Sequence, residues 1–290
     1  MNGAGQLRAN SGIEGSVAVP WARLRIPAFP QIAVRVLQLA GGRAVSMRQL
    51  SDLISSDPAF CSEVLTIVNS LVYAPRFPVT SILQAVAMLG THNLKGICLT
   101  VGVRAYLGKS LSHPAMRCIW RHNLATALVA QQLAIAGVID KDKAYTAGIL
   151  HDMGRLAFAA LQPTEYSALL GTHTGSARSI LASEKSLFGV DHCEAGRNLV
   201  HEWKLPPELE TVVSLHHAKR DSSAWQIPDL IHVSCRIADS IGFPAFQGCI
   251  GGSYHDVLAE VPGPERDLFP SNVESLSFAI GSKINAVESL

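Results

Sequence analysis

Three features of the sequence predict an all-α protein. Apolar residues recur at helical spacing through most of the chain. Capping residues and glycine stops punctuate it at short intervals. No stretch alternates apolar with polar residues as a half-buried strand does, and no hairpin turn joins two apolar runs. Antiparallel helices in bundled layers are the architecture these features imply.

The elements follow in order. Residues 1–20 are rich in Gly, Ser and Ala and are expected to be a disordered leader. In 26-IPAFPQIAVRVLQLA-40, Pro27 and Pro30 punctuate, and Ile32, Val36, Leu37 and Leu39 carry helical spacing. Ser46 is placed to cap a helix with Leu50, Leu53 and Ile54 on one face. Asp57 caps the next, with Pro58 at its first position and Asn69 closing it. The run 80-TSILQAVAMLG-90 ends at Gly90, and 91-THNLKGICLTVGVRAYLG-108 continues as a helix weakened by Gly96 and Gly102. A break at 108-GKSLSHPAMRC-118 separates an N-terminal helical lobe, 21–110, from a second lobe, 111–245, where the helices lengthen. The tail, 246–290, is rich in Gly and Pro and ends in an amphipathic piece expected to pack on the second lobe.

Composition narrows the function. The 290 residues are 48% hydrophobic, enough for a large core, and only 16% charged with a net charge of +1. No acidic or basic run argues for nucleic acid, and Arg76, Lys95 and Arg104 are scattered. No uninterrupted apolar run reaches the roughly 18 residues of a membrane span. The N-terminus lacks the apolar core of a signal peptide, so a cytoplasmic location without membrane association is expected. The cysteines at 61, 98, 118, 193, 235 and 249 form no Cys-x-x-Cys pair and read as reduced core thiols.

Chemistry concentrates in the second lobe. In 149-ILHDMGRLAF-158, His151 and Asp152 sit side by side in an apolar frame, where both are costly to bury without partners. They are either a local hydrogen-bonded pair or half of a metal site. His122, His192, His216, His217 and Asp239 lie in similar settings, on or at the ends of expected helices. Each alone is more often a satisfied core residue than a ligand. As a set they fit a bundle that brings one inward position per helix to a common centre, with donors suited to Fe, Mn or Zn. Adjacent helical residues point about 100° apart, so His151 and Asp152 share a centre only at a helix end. Gly154 permits close approach of another backbone there. Asp191 and Glu194 either orient His192 or form a solvated helix start, and Cys193 is packing rather than ligand. His92, His113, His173, His201, His232 and His255 fit no ordered set and read as structural or surface residues. No Gly-x-Ser-x-Gly element is present, and 248-GCIGGS-253 lacks the Lys and preceding strand of a phosphate loop.

The order His122…His151-Asp152…Asp239 resembles the HD superfamily of metal-dependent phosphohydrolases, and His151-Asp152-Met153-Gly154-Arg155 looks like its HD-x-G-K/R element. More narrowly, residues 24–245 resemble the HDOD branch. IPAFPQIAVRVLQLA, LSDLISSDPAFCSEVLTIVNS and SILQAVAMLG in the first lobe carry that likeness, with WRHNLATALVA, FGVDHCEAG and LHH in the second. The resemblance implies an N-terminal helical lobe packed on an HD-type bundle. It also implies one or two divalent transition-metal ions, Fe, Mn or Zn. His122, His151, Asp152 and Asp239 would hold the first, and Asp152 would bridge to a second held by His192, His216 and His217. Arg155 would contact phosphate oxygens, or be an exposed residue paired with an acid. The function implied is that of a bacterial signal-transduction or regulatory module acting in trans on a signalling protein, with a nucleotide or phosphoester as possible ligand. The alternative is an active metal-dependent phosphohydrolase. After His216-His217 the chain reads AKRDSSAWQIPD, without the Gly-Tyr-Pro element of the cyclic-di-GMP phosphodiesterase branch.

Overall fold

The computed structural model describes residues 18–39, 46–70, 73–135, 139–218, 225–267 and 269–288, and all that follows concerns these. A 3-10 turn at Trp21–Arg23 precedes helices α1 (Gln31–Leu39), α2 (Met47–Ser55), α3 (Pro58–Val68) and α4 (Ile82–Leu107). A second 3-10 turn, Gly108–Ser112, leads to α5 (Pro114–Ile135), α6 (Lys141–Leu150), α7 (Met153–Leu161) and α8 (Pro163–Thr172). Then follow α9 (Leu181–Phe188), α10 (His192–Glu202), α11 (Glu208–Leu215) and α12 (Ile227–Ser240). The tail holds α13 (Tyr254–Leu258), α14 (Gly263–Asp267) and α15 (Val273–Glu288). Among the described residues no strand forms; one isolated parallel bridge pairs Gly175 with Cys249. No described helix is long and apolar enough to cross a membrane.

Local chemistry sets the helix ends. Ser46 and Gln49 form a reciprocal capping box at α2, and Asp57 accepts from Phe60 N–H at α3. Asn69 closes α3 and also clamps the loop beyond it, donating to Val79 O and accepting from Val79 N–H, both at 2.8 Å. The kink within α4 falls at Gly90, whose φ of 81° suits a residue without Cβ. Of the expected disordered leader, residues 1–17 lie outside the described residues. Ala18–Pro20 do not fit that expectation, because Val19 exchanges hydrogen bonds of 2.6 and 2.8 Å with the Gln162 side chain.

Helices α1, α2 and α3 pack on α4, and α4 packs on α6. Helix α5 runs through the middle, against α6, α7, α12 and α15. Helix α10 lies on α7 and α11. One continuous apolar core joins these layers, from Trp21 and Phe29 through Trp120 and Phe158 to Ile280 and Ile284. Of the tail helices, α13 packs on α12, and α15 is tied to α5 by Glu288, which pairs with both Arg117 and Arg121.

Two short breaks position the polar centre. Helix α6 ends at His151 and α7 begins after Asp152, whose φ/ψ of −102°/25° is non-helical and whose side chain makes no capping bond. The carboxylate is thus left for the interior. Helix α7 meets α10 at Gly154: a Cβ there would stand 2.0 Å from His192 O and 2.9 Å from Gly196 N. That glycine lets the backbones touch and draws His192 towards the His151-Asp152 corner.

Candidate metal centre

Five imidazoles and a carboxylate converge between α5, the α6–α7 corner, α10, the end of α11 and α12. His122, His151, Asp152, His192 and His216 are fully buried, and only His217 reaches the surface, at 8% exposure. Each of four rings has its Nδ1 engaged by an outer acceptor. His122 Nδ1 is 2.8 Å from Phe243 O, His151 Nδ1 2.7 Å from Gly148 O, and His216 Nδ1 3.1 Å from Val213 O. His192 Nδ1 is 2.5 Å from Glu184 Oε2. A carbonyl only accepts, so Nδ1 carries the proton in these rings and Nε2 bears a lone pair when the ring is neutral.

Those Nε2 atoms face inward. His216 Nε2 lies 3.1 Å and His192 Nε2 3.4 Å from Asp152 Oδ1. His192 Nε2 and His217 Nε2 face each other at 2.9 Å, a spacing that needs a proton or a cation between them. His151 Nε2 is 3.8 Å from Asp152 Oδ2 and has no hydrogen-bond partner. Three groups of donors lie within 4.8 Å of one another: His122, His151 and Cys235; His151, Asp152 and His216; His192, Cys193, His216 and His217. Nδ1–H groups tied to backbone or carboxylate and lone pairs gathered around one carboxylate are the arrangement that metal-bound histidines adopt. The residues therefore fit divalent transition-metal ions.

The electrostatics agree with neutral His151, His192 and His217 around a charged carboxylate. Burial disfavours ionisation of Asp152, but Arg155 and the surrounding imidazoles outweigh it and hold its carboxyl well below the usual range. Burial pushes His151 and His217 well below the ordinary imidazole value, and lowers His192 with help from Arg155. Glu184 resists its own burial through His192 and Arg155 and is held low.

Two expected residues are placed differently from their neighbours. Arg155 is not exposed: it is fully buried, with Nε 3.0 Å from Asp152 Oδ2 but without hydrogen-bond alignment. Its fork donates to Ala177 O at 2.9 Å and approaches Glu184 Oε1 at 3.8 Å. Asp239 is not brought to the centre. It lies behind His122, with Oδ1 3.4 Å from Nδ1 and accepting from Ala245 N–H at 3.1 Å. One turn earlier on α12, Cys235 occupies the inner face instead, its Sγ 3.4 Å from His122 Nε2.

Asp191 and Glu194 form a capping box at α10, so the solvated-start reading describes them. The group that orients His192 is Glu184, which also accepts from His192 N–H and from Tyr166 OH. Its signal was available: Ile180, Glu184 and Phe188 are four residues apart, and all three are fully buried. Cys193, read as packing, offers its sulfur to the group around His192. His232 holds the His216 carbonyl through Nδ1 at 2.8 Å, a structural role. The side chain of His92 lies outside the described residues.

Comparison with known proteins follows this geometry. The model of the HDOD domain matches residues 26–219. A relative from Treponema pallidum (strain Nichols), named only as an uncharacterized protein, is 27% identical over 203 residues, which are 67% of this chain and 38% of that protein. The chain thus spans well under half the length of that relative. A crystal structure from Marinobacter aquaeolei, provisionally named a signal transduction protein, superposes with a TM-score of 0.70 at 21% identity, covering 91% of this chain and 59% of that one. Another from Shewanella amazonensis, provisionally named a metal-dependent phosphohydrolase, gives 0.61 at 20% identity, covering 90% and 94%. At these identities the structures share the fold.

Proposed function

The chain belongs to the HDOD family, and from that premise we propose that it is a bacterial signal-transduction module whose buried centre holds one or two divalent transition-metal ions. The supporting observation is the set of imidazoles with Nδ1 engaged outward and Nε2 turned inward around Asp152. His122 and His151 would hold one ion, His192, His216 and His217 a second, and Asp152 would stand between them. Imidazole with carboxylate suits Fe, Mn or Zn. Arg155 balances the charge of Asp152 and Glu184 from within rather than reaching towards a ligand. When bound, such ions supply Lewis acidity and a water of lowered pKa.

Regulation is favoured over turnover because the centre is closed. Five of its six groups have no exposure, whereas a catalytic metal keeps a position open to water and substrate. The six unpaired cysteines suit a reducing cytoplasm, where the module would act on a protein partner in trans. The test is elemental analysis of the untagged full chain, purified without chelator under low oxygen. One or two equivalents of Fe, Mn or Zn are expected, reduced in Asp152→Asn. No metal, even after reconstitution, would overturn the proposal.

Metal-dependent phosphohydrolysis is the second reading, and one observation supports it. A cavity of about 360 Å³ opens outside His217, lined by Arg178, Arg197 and Ser214 together with Asp191 and Glu194, which are engaged as the capping box of α10 and, for Glu194, by Lys185. Two guanidinium groups beside the only surface-reaching member of the centre suit a phosphate. Turnover of nucleotides or other phosphoesters by metal-loaded protein, abolished in Asp152→Asn, would establish this reading in place of the first.

A further inference from the structure

Of the described cysteines, Cys235 stands in unusual company. A buried thiol ordinarily packs against carbon as a small hydrophobe. Cys235, 2% exposed, instead points its sulfur at His122 Nε2, 3.4 Å away, with a His151 donor in the same group of three. The Nδ1 atoms of both histidines are taken by Phe243 O and Gly148 O, so each presents an inward lone pair. One S–H can donate to only one of them. His151 Nε2 is fully buried and has no partner. A buried acceptor left without a donor is costly, and natural interiors rarely keep one without purpose. A single cation among the three atoms would satisfy them all.

We propose that Cys235 is a thiolate ligand of the half-site formed with His122 and His151. Asp239, the acid that the sequence suggests for this position, is turned away to Ala245 N–H and the outer edge of His122. The sulfur replaces an oxygen donor. On coordination the S–H proton is released to water and the S–metal bond forms, with no change of oxidation state. A soft thiolate beside two imidazoles selects Zn(II) or Fe(II) over Mn(II) and Mg(II). The proposal deepens the metal-binding reading and rests on it.

The test uses the full chain, stripped of metal and titrated anaerobically with Co(II). Thiolate coordination gives an intense sulfur-to-cobalt charge-transfer absorption in the near ultraviolet, which nitrogen and oxygen donors do not. The band is expected in the wild type and in Cys193→Ser, which removes the sulfur of the other donor group. It should be lost in Cys235→Ser. Cys235→Asp, which restores an anionic donor should serine fail to fold, should bind cobalt without the band. Its preference for zinc over manganese should fall at least about tenfold. Cobalt bound by the wild type without the band overturns the thiolate alone and leaves the metal site standing. A band that survives Cys235→Ser does the same. Failure to bind any cobalt overturns both.

Discussion

The helices before Gly108 and those after it are built by the same local rules but bury different things. Around α1–α4 the interior is almost all apolar: Leu50, Ile54, Val64, Ile67 and Val86 are sealed, the buried polar side chains are the small hydroxyls of Ser51 and Thr100, and Ser46, Asp57 and Ser81 sit at helix ends as caps. Around α5–α12 the interior also holds His122, Asn123, His151, Asp152, Arg155, Glu184, His192 and His216. A fold of this size does not need them, since apolar residues of like volume pack at least as stably. Their burial costs free energy that Asp152, Arg155 and Glu184 only partly recover by pairing. The contrast teaches that the first region is built as an apolar scaffold, and that the second buries the polar groups proposed above to hold metal.

The hardest blow to that contrast is Arg155→Ala. It leaves Asp152 and Glu184 buried without their cation, and removing one partner of a buried pair costs about 3–5 kcal/mol. Leu50→Ala, in the first region, costs a comparable 2–5 kcal/mol, about what a cavity in a tight core costs. The two are separated by what rescues them. Adding Glu184→Gln to Arg155→Ala should recover part of the loss, because an uncompensated charge is removed. No single charge change should help Leu50→Ala. Denaturant unfolding of the singles and the double measures this. A double variant no better than Arg155→Ala would show that the guanidinium acts by volume, not charge.

The second effect is pH dependence of the metal-free chain. Unfolded imidazoles titrate near pH 6.5. Folded His151, His192 and His217 titrate lower, because burial disfavours their charged forms. Between those values the unfolded state binds more protons, so stability is complete above about pH 6.5 and falls as pH drops below it. The slope reaches about 1.4 kcal/mol per pH unit for each histidine. Asp152 and Glu184 act the same way only at lower pH, since their folded values are depressed below the ordinary carboxylate range. Unfolding free energies measured from about pH 8 to 5 in chelator should show the decline. A flat profile would mean that the folded rings keep the ordinary imidazole value, and a rise on acidification that they are protonated in the folded state.

The first region was the more legible of the two. Ser46, Asp57, Pro58 and Gly90 act where their local chemistry places them, because capping and left-handed turns depend on a few neighbouring residues. The His151-Asp152 corner was legible too, since two adjacent residues share a centre only across a helix break. What escaped depends on three-dimensional register. Cys235 and Asp239 lie four residues apart on one face of α12, and spacing alone does not say which turn stands level with His122. Glu184 hides among polar neighbours in 182-ASEKS-186, although Ile180 and Phe188 bracket it on the buried face. Arg155 has the same composition signal whether it faces solvent, a phosphate or Asp152. Only the approach of α9 and the Ala177 carbonyl turns it inward.

The smallest effect tests whether the two regions are energetically joined. Ser46→Ala deletes the capping box of α2, in which Ser46 Oγ accepts from Gln49 N–H at 3.1 Å and Gln49 Oε1 accepts from Ser46 N–H at 3.2 Å. A lost cap costs about 1 kcal/mol. Helix α2 packs on α1, α3 and α4 and supplies nothing to the centre, so metal stoichiometry and affinity should be unchanged while thermal stability falls. Yet α4 packs on α6, and α6 ends at His151. If metal binds more weakly in Ser46→Ala, loosening the first region costs free energy at the centre. By reciprocity, metal binding must then tighten the first region by the same amount. That coupling would discard the division into inert scaffold and chemical bundle, and α4 against α6 would be the path by which an occupied centre is read at the N-terminal surface.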